Sequence, residues 1–433
     1  MKTFVYQTII LVTLCFLSSC SFLEDDSLTP IEKERLELEE SIHSYKVLLW
    51  KYFKMSYKAS YVSEETYPEL LPIKEKLGNI QQFSQLYDKK LKNDELTALD
   101  YIDLYKDFMQ IKDFIKETDE DVLPSIFEFD TDRKKQYSAE EIRQQKSLEH
   151  LLFSIASILS KDLGREIAIY EIMKIDIENT PESEAKCLFR YIRAILYVEK
   201  GLTYLAEEDL TQNIQYIEKS GNIDFSEYYQ YLHGKNTSKR QAYDVSLAIH
   251  YLLRGVDRLL IGDEKEQGAL EDFQAFLNIM NHLGIQTELT LAVETYIHLK
   301  NEDAEKAIAS LQLLKQSTML SEKEKKTIDE SIGYLQNRES GKVLNSVYDK
   351  YFLSKIVTKY TWNTVKELNW KHFMKKQGFE NVDATFDKIE ATKEFIENLE
   401  KYTTEDGLKA AEEQLKEGGE ELWDKAKKYW NEN

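Results

Sequence analysis

Apolar residues recur every three or four positions along most of the chain, which is the spacing that places them on one face of a helix. Thr29 to Glu32 combines a capping box with proline at the first helical position, and apolar positions then follow from Leu36 to Phe53. A second capping box, Ser138 to Glu141, begins another amphipathic stretch after the polar segment 130–135. The pattern predicts an all-α protein.

The C-terminal part shows the same periodicity without a repeat. Residues 342–376 are predicted to form one long aromatic-rich helix, and a last helix is predicted from Asp406 to Trp430. The predicted organisation is a leader at 1–19, a tether at 20–28, an N-terminal helical region at 29–135, a hairpin region at 138–335 and a C-terminal helical region at 342–433.

The leader predicts the compartment. Met1-Lys2 is followed by an apolar run from Phe4 to Leu17, too short to span a bilayer and typical of a secretory signal peptide. Its end, Leu17-Ser18-Ser19-Cys20, resembles the bacterial lipobox. The resemblance implies cleavage before Cys20 and lipidation of Cys20 with fatty acids such as palmitate. The alternative is an ordinary signal peptide with a chance cysteine.

The residues after Cys20 bear on which membrane is used. Ser21 stands where many inner-membrane lipoproteins carry Asp, which favours a cell-envelope location at the outer membrane. Glu24-Asp25-Asp26 is similar to an acidic surface-export signal, and it is equally compatible with a solvated tether.

Small and aromatic residues recur in a fixed order within the hairpin region. This order resembles the tetratricopeptide pattern, in which two antiparallel helices approach closely at small residues. The repeat-packing positions are Ala194, Tyr197, Gly201, Ala206 and Leu210 in one copy, Gly255, Gly262, Ala269 and Phe273 in the next, and Ala307 and Leu311 in the last.

The spacing of the copies is irregular. The alanines of the predicted second helices, starting from Ala168, are 38, 63 and 38 residues apart, whereas the family period is about 34 residues. The copies are therefore stretched, with an insertion expected between Lys219 and Arg240, and the family's characteristic Trp is absent from each copy. The alternative is an irregular helical array with chance small residues.

The resemblance also predicts a groove. It places first-helix residues such as Ile195, Val256 and Tyr296 on the concave side of the array, and most of these residues are apolar. Because large exposed apolar patches are uncommon on soluble proteins, either a partner helix or the protein's own C-terminal region should cover them. We favour the helix predicted at 342–376.

Composition limits the classes of partner that we expect the protein to bind. The chain has 15 Gly and 5 Pro, few for its length, which suits long helices. Its net charge of −21 disfavours nucleic acid as a partner. Apart from Cys15 in the leader and Cys20 at the start of the tether, the chain has one cysteine, Cys187, and we expect it to be a small buried apolar residue.

The motifs of common enzymes are missing from the sequence. It contains no Gly-rich phosphate loop, no paired cysteines and no Gly-x-Ser-x-Gly elbow, and its seven histidines never pair at helical metal-site spacing. We therefore expect no catalytic, cofactor-binding or metal site and no enzymatic activity. A deep pocket with a perturbed carboxylate would instead indicate an enzyme.

Together these features predict a lipoprotein anchored to the membrane of the cell envelope. The tetratricopeptide resemblance implies a protein-binding or assembly scaffold with a protein partner in the envelope. The alternative is a surface lipoprotein that captures a glycan or another nutrient beside a transporter.

Overall fold

The computed structural model describes most of the chain between residues 28 and 366. The described residues are 28–80, 110, 112–125, 138–159, 164–175, 177, 182–221 and 239–366. Every regular element among them is helical, which confirms the predicted all-α class. Cys20 with its leader, residues 222–238 of the insertion expected between Lys219 and Arg240, and the predicted last helix lie outside the described residues.

Twelve helices form the main part of the described residues. They are α1 Pro30–Ser41, α2 Tyr45–Ser60, α3 Ala139–Leu159, α4 Gly164–Met173, α5 Glu184–Lys200, α6 Thr203–Ser220, α7 Lys239–Ile261, α8 Glu266–His282, α9 Glu288–Lys300, α10 Ala304–Leu314, α11 Glu322–Gln336 and α12 Lys350–Lys366. Residues 71–80 and 112–117 are helical as well, and Glu120–Val122 forms a 3₁₀ turn.

The chain divides into two compact units. The first takes in Leu36–Asp176, and the second takes in Pro30–Arg35 together with Ile177–Val382. Helices α3 and α4, which the sequence analysis groups with the hairpin region, belong to the first unit. The hairpins α5/α6, α7/α8 and α9/α10 belong to the second.

Local sequence explains where several helices begin and end. At the start of α3, the Glu141 amide donates to Ser138 Oγ at 3.2 Å and the Ser138 amide donates to Glu141 Oε2 at 2.8 Å, which confirms the second capping box. Helix α5 ends at Gly201, whose φ of +88° is a left-handed conformation that glycine adopts without strain.

The repeat-packing residues lie in the interfaces of the hairpins. Gly255 is the tightest case, because a Cβ there would lie 2.6 Å from the Phe273 ring on the facing helix α8. The side chains of the other predicted positions in the helices are buried: Ala194, Tyr197, Ala206, Leu210, Ala269, Phe273, Ala307 and Leu311. Gly262, with a φ of +134°, forms the turn between α7 and α8.

Helix α12 covers the first helices of the three hairpins, packing against α5, α7 and α9. Its side chains Leu353, Ile356 and Val357 are fully buried in a core shared with the hairpins. The predicted groove residues Ile195, Val256 and Tyr296 are buried too. The structure thus confirms that the segment after the hairpins packs along the array.

The prediction of one continuous helix from 342 is wrong. The chain forms a single turn, Ser340–Lys342, and a π-helical turn, Val343–Val347, before α12 begins at Lys350. Tyr348 leaves the helical conformation, is fully buried and donates from its hydroxyl to the Ala292 carbonyl at 3.0 Å. Asp349 then restarts the helix by accepting from the Phe352 amide at 2.8 Å.

Candidate functional site

The first unit contains a buried group of ionisable side chains, here called the charged cluster. Helix α2 contributes its lysines because every fourth residue from Trp50 onward falls on the buried face of that helix. The 3₁₀ turn, α3 and α4 contribute the acids and the histidine. The members of the cluster are Lys54, Lys58, Glu120, Asp121, Glu149, His150 and Glu171.

Lys54 lies at the centre of the charged cluster. Its Nζ donates to Glu171 Oε2 at 2.9 Å and to Glu120 Oε1 at 3.1 Å, and its side chain is 1 % exposed. Burial alone would lower the pKa of Lys54, but the carboxylates of Glu120, Glu171 and Glu149 outweigh it and raise that pKa. The ammonium therefore stays charged inside the protein. Lys58 makes a parallel pair with Glu149 at 2.9 Å.

His150 joins the interior of the cluster to its edge. Its Nδ1 lies 2.7 Å from Glu171 Oε2, and its Nε2 lies 3.1 Å from Asp121 Oδ1. Burial and Lys54 lower the pKa of His150, but the hydrogen bonds with Asp121 and Glu171 raise it above its ordinary value of 6.5. Asp121 is the cluster member that reaches water, with a side chain that is 23 % exposed.

The charged cluster has two parts, one that could bind a metal ion and one that is structural. Glu120, Asp121 and His150 each offer a ligand atom within 4.8 Å of the others, so these three residues could hold a metal ion. The remaining members are closed to any substrate, because the side chains of Lys54, Lys58, Glu149 and Glu171 are at most 1 % exposed. Ion pairs buried this completely impose one arrangement on the helices that supply them.

Sequence reasoning missed the charged cluster because its members come from four separate elements. One signal was present: Lys54 and Lys58 stand four residues apart in a helix that is otherwise rich in aromatic and apolar residues. A lysine on the apolar face of a helix requires a buried acid, since an unpaired charge in the interior is very costly.

A second unexpected feature is an acid that recurs in the repeat. Glu171, Asp209 and Asp272 each follow the buried alanine of a second helix by three residues. Asp209 and Asp272 each pair with an arginine of their own hairpin's first helix, while Glu171 pairs with Lys54. Ser310 takes this place in the last copy.

Cys187, Asn213 and His250 share the core of the second unit. His250 Nδ1 lies 2.8 Å from the Ser246 carbonyl, which can only accept, so Nδ1 carries the proton and Nε2 accepts from Asn213 at 3.1 Å. Burial lowers the pKa of His250 to about 4 and raises the pKa of the Cys187 thiol to about 12. The thiol is therefore protonated and unreactive, and Cys187 is buried as predicted.

Asp257 on α7 is fully buried, and neither of its carboxyl oxygens has a hydrogen-bond partner. Burial raises its pKa well above the ordinary range, and the nearby carboxylates of Glu207 and Glu34 add to this effect. Arg258 and Lys265 act in the opposite direction but are themselves paired with Glu207. Asp257 is therefore a neutral carboxylic acid in the folded protein.

Comparisons with known proteins give no relative: no family model, no curated protein and no solved structure matches this chain. Among the helices that the structure describes, none combines the length and the apolar character needed to cross a membrane. What the fold defines is an all-α protein built on packed helical hairpins.

Proposed function

We propose that the protein is a lipid-anchored scaffold of the bacterial cell envelope that binds a protein partner through its helical hairpins. The observation that supports this most is the row of helix pairs α5/α6, α7/α8 and α9/α10, packed pair against pair. Arrays of this kind present extended, rigid surfaces that suit protein recognition. The lipobox-like end of the leader supports attachment at Cys20, since two or more acyl chains anchor a protein stably.

The packing of α12 directs the partner to other surfaces. Because α12 already covers α5, α7 and α9, the described part of the groove is closed by the chain itself. The partner therefore binds the outer helices of the hairpins, the insertion at 222–238 or the N-terminal region. Leu313 on α10 is an apolar side chain that is 48 % exposed, and a substitution there tests whether the outer face of α10 contacts the partner.

The test is affinity purification of the full-length protein from detergent-solubilised envelope, followed by mass spectrometry. A specific envelope protein should co-purify with the wild type. Replacing exposed Leu313 by Asp should reduce its recovery if the outer face of α10 is the contact, whereas Tyr351→Asp on α12, where the side chain is 65 % exposed, provides a control on another helix. Recovery of the scaffold alone under mild detergent conditions would contradict the proposal.

Capture of a glycan is the second candidate, and one specific observation favours it. Tyr57 on α2 and Tyr61 just after its end are 49 % and 43 % exposed, and their rings lie 5.5 Å apart in an edge-to-face arrangement. Exposed aromatic rings are surfaces on which sugars stack. Binding of oligosaccharides that is lost in Tyr57→Ala and Tyr61→Ala but kept in Tyr351→Ala, another exposed tyrosine, would favour this function.

A further inference from the structure

The edge of the charged cluster has the spacing of a metal site. His150 Nε2 and Asp121 Oδ1 lie 3.1 Å apart. Two ligand atoms that each bind one ion at about 2.1 Å lie about 3.0–3.4 Å apart at the angles that zinc and manganese adopt. Glu120, Asp121 and His150 each have a ligand atom within 4.8 Å of the other two, so Glu120 is near enough to supply a third ligand.

The histidine is oriented as a metal ligand usually is. Glu171 holds the Nδ1 side of the ring at 2.7 Å, which leaves Nε2 directed toward Asp121. A carboxylate behind the imidazole fixes the tautomer and strengthens the ligand. Glu171 is itself fixed by Lys54, so the ring position does not depend on a mobile surface group.

Two further observations concern the charge at this place. The four carboxylates of the charged cluster face two ammonium groups and the His150 ring, and Lys174 Nζ lies 3.9 Å from Asp121 Oδ2, so acidic groups outnumber the lysines inside the cluster. In addition, Glu120 Oε2 is buried and makes no hydrogen bond of ordinary geometry, although Oε1 is paired with Lys54. Burial raises the pKa of the nearby Tyr170 hydroxyl, and Glu120 lies close enough to add to this effect. Isolated charges are costly in the protein interior.

We propose that His150 Nε2, Asp121 and Glu120 bind one divalent first-row metal ion, with Glu171 as the residue that orients His150. Imidazole together with carboxylates suits Zn²⁺ and Mn²⁺. Lys54 Nζ lies 3.3 Å from His150 Nδ1 and donates to Glu120 Oε1 at 3.1 Å. The lysine therefore leaves the Nε2 side of the His150 ring open. The partly exposed Asp121 is the point of entry, and water completes the coordination.

The experiment uses the full chain in detergent, stripped with EDTA and dialysed. Zn²⁺ and Mn²⁺ are then titrated separately by calorimetry, and metal content is measured by plasma mass spectrometry after desalting. We expect one ion per chain. Asp121→Asn and His150→Gln should each weaken binding by at least ~10-fold, and circular dichroism should verify that each variant keeps its helix content.

Asp119→Asn is the matched control, because Asp119 pairs with Lys174 through a side chain that is 59 % exposed, and the asparagine oxygen can still accept the hydrogen bond that the Asp121 amide donates to Asp119. Its affinity for the ion should equal that of the wild type. Two outcomes overturn the proposal: a wild-type chain that retains no ion of either kind, or an Asp121→Asn variant that binds as tightly as Asp119→Asn. Either result would mean that His150 is an imidazolium that simply bridges Asp121 and Glu171.

Discussion

Arg254 on α7 binds Asp272 on α8 with two hydrogen bonds, from Nη2 at 2.7 Å and from Nε at 2.9 Å. The preceding hairpin repeats this arrangement, since Arg193 binds Asp209 at 2.6 and 2.7 Å. Each arginine directly precedes the small residue of its first helix, and each aspartate follows the buried alanine of its second helix by three positions. The two hairpins are therefore copies in their polar contacts as well as in their small residues.

We expect Asp272→Asn to lower the free energy of unfolding by about 3 kcal/mol, because it leaves Arg254 with an uncompensated charge near the core and removes one of the two carboxylates that pair with Arg258. Urea denaturation followed by circular dichroism measures the change. Glu330→Gln, which removes the exposed partner of Lys326, is the control and should leave the transition unchanged. Equal stability of the two variants would contradict a stabilising role for the repeated pair.

Asp257 should make the protein less stable as pH rises. Its carboxyl keeps a proton in the folded state, whereas the unfolded chain loses that proton near the ordinary value of 3.8. Folding is therefore increasingly disfavoured from about pH 4 upward until the folded-state pKa is passed. Asp257→Asn, which cannot ionise, should unfold at a higher temperature than the wild type at pH 8 and show a smaller gain at pH 5. A gain independent of pH would refute this assignment.

Bulk at the hairpin contacts should destabilise the array. Ala269 is fully buried between α7 and α8, so Ala269→Leu should overpack the pair and cost about 1–3 kcal/mol. Ala206→Leu should behave in the same way in the preceding hairpin. Ala309→Leu on the exposed side of α10 is the matched control and should leave the melting temperature nearly unchanged. Unchanged melting of the two buried variants would show that these alanines tolerate bulk.

Deleting the residues after Gly341 should expose the groove. The truncated chain loses Tyr348, Leu353, Ile356 and Val357, which fill the core against the hairpins. We expect greater binding of a hydrophobic dye and concentration-dependent aggregation in light scattering. A chain ending after Glu405, which keeps α12 and lacks the predicted last helix, is the control. Monomeric behaviour of the shorter chain without added dye binding would contradict the packing of α12.

Cys20→Ala should block lipidation and leave an unprocessed precursor. Mass spectrometry of the wild type should find an acylated Cys20 as the first residue of the mature chain. An unmodified N terminus at any other residue would exclude the lipobox, although it would leave the helical fold and the metal proposal untouched.

The parts of the fold that follow from nearby residues could be predicted from the sequence. Helical periodicity, the capping box at Ser138 and the turn at Gly201 depend on side chains within a few positions of each other. The interruption at Tyr348 could not be predicted, because its cause is a hydrogen bond to Ala292, 56 residues away. In sequence, residues 342–366 carry an unbroken helical pattern.

The charged cluster could not be predicted for the same reason, because its members are far apart in the sequence. His150 has no second histidine at helical spacing, and its neighbours Asp121 and Glu171 lie 29 and 21 residues away. Lysines usually lie on the solvated faces of helices. The sequence alone would therefore place Lys54 at the surface, whereas the structure buries it. The opposite charges come together only when α2, α3, α4 and the 3₁₀ turn pack against one another.

The packing of α12 sets the minimum affinity that another helix would need in order to bind in the groove. A helix joined covalently to its own groove acts at an effective concentration of about millimolar, as short flexible linkers do. A free peptide present at about micromolar concentration would need roughly a thousand-fold higher intrinsic affinity to displace it. The array therefore excludes amphipathic helices of ordinary affinity, and a ligand that enters the groove must bind much more tightly or must displace α12.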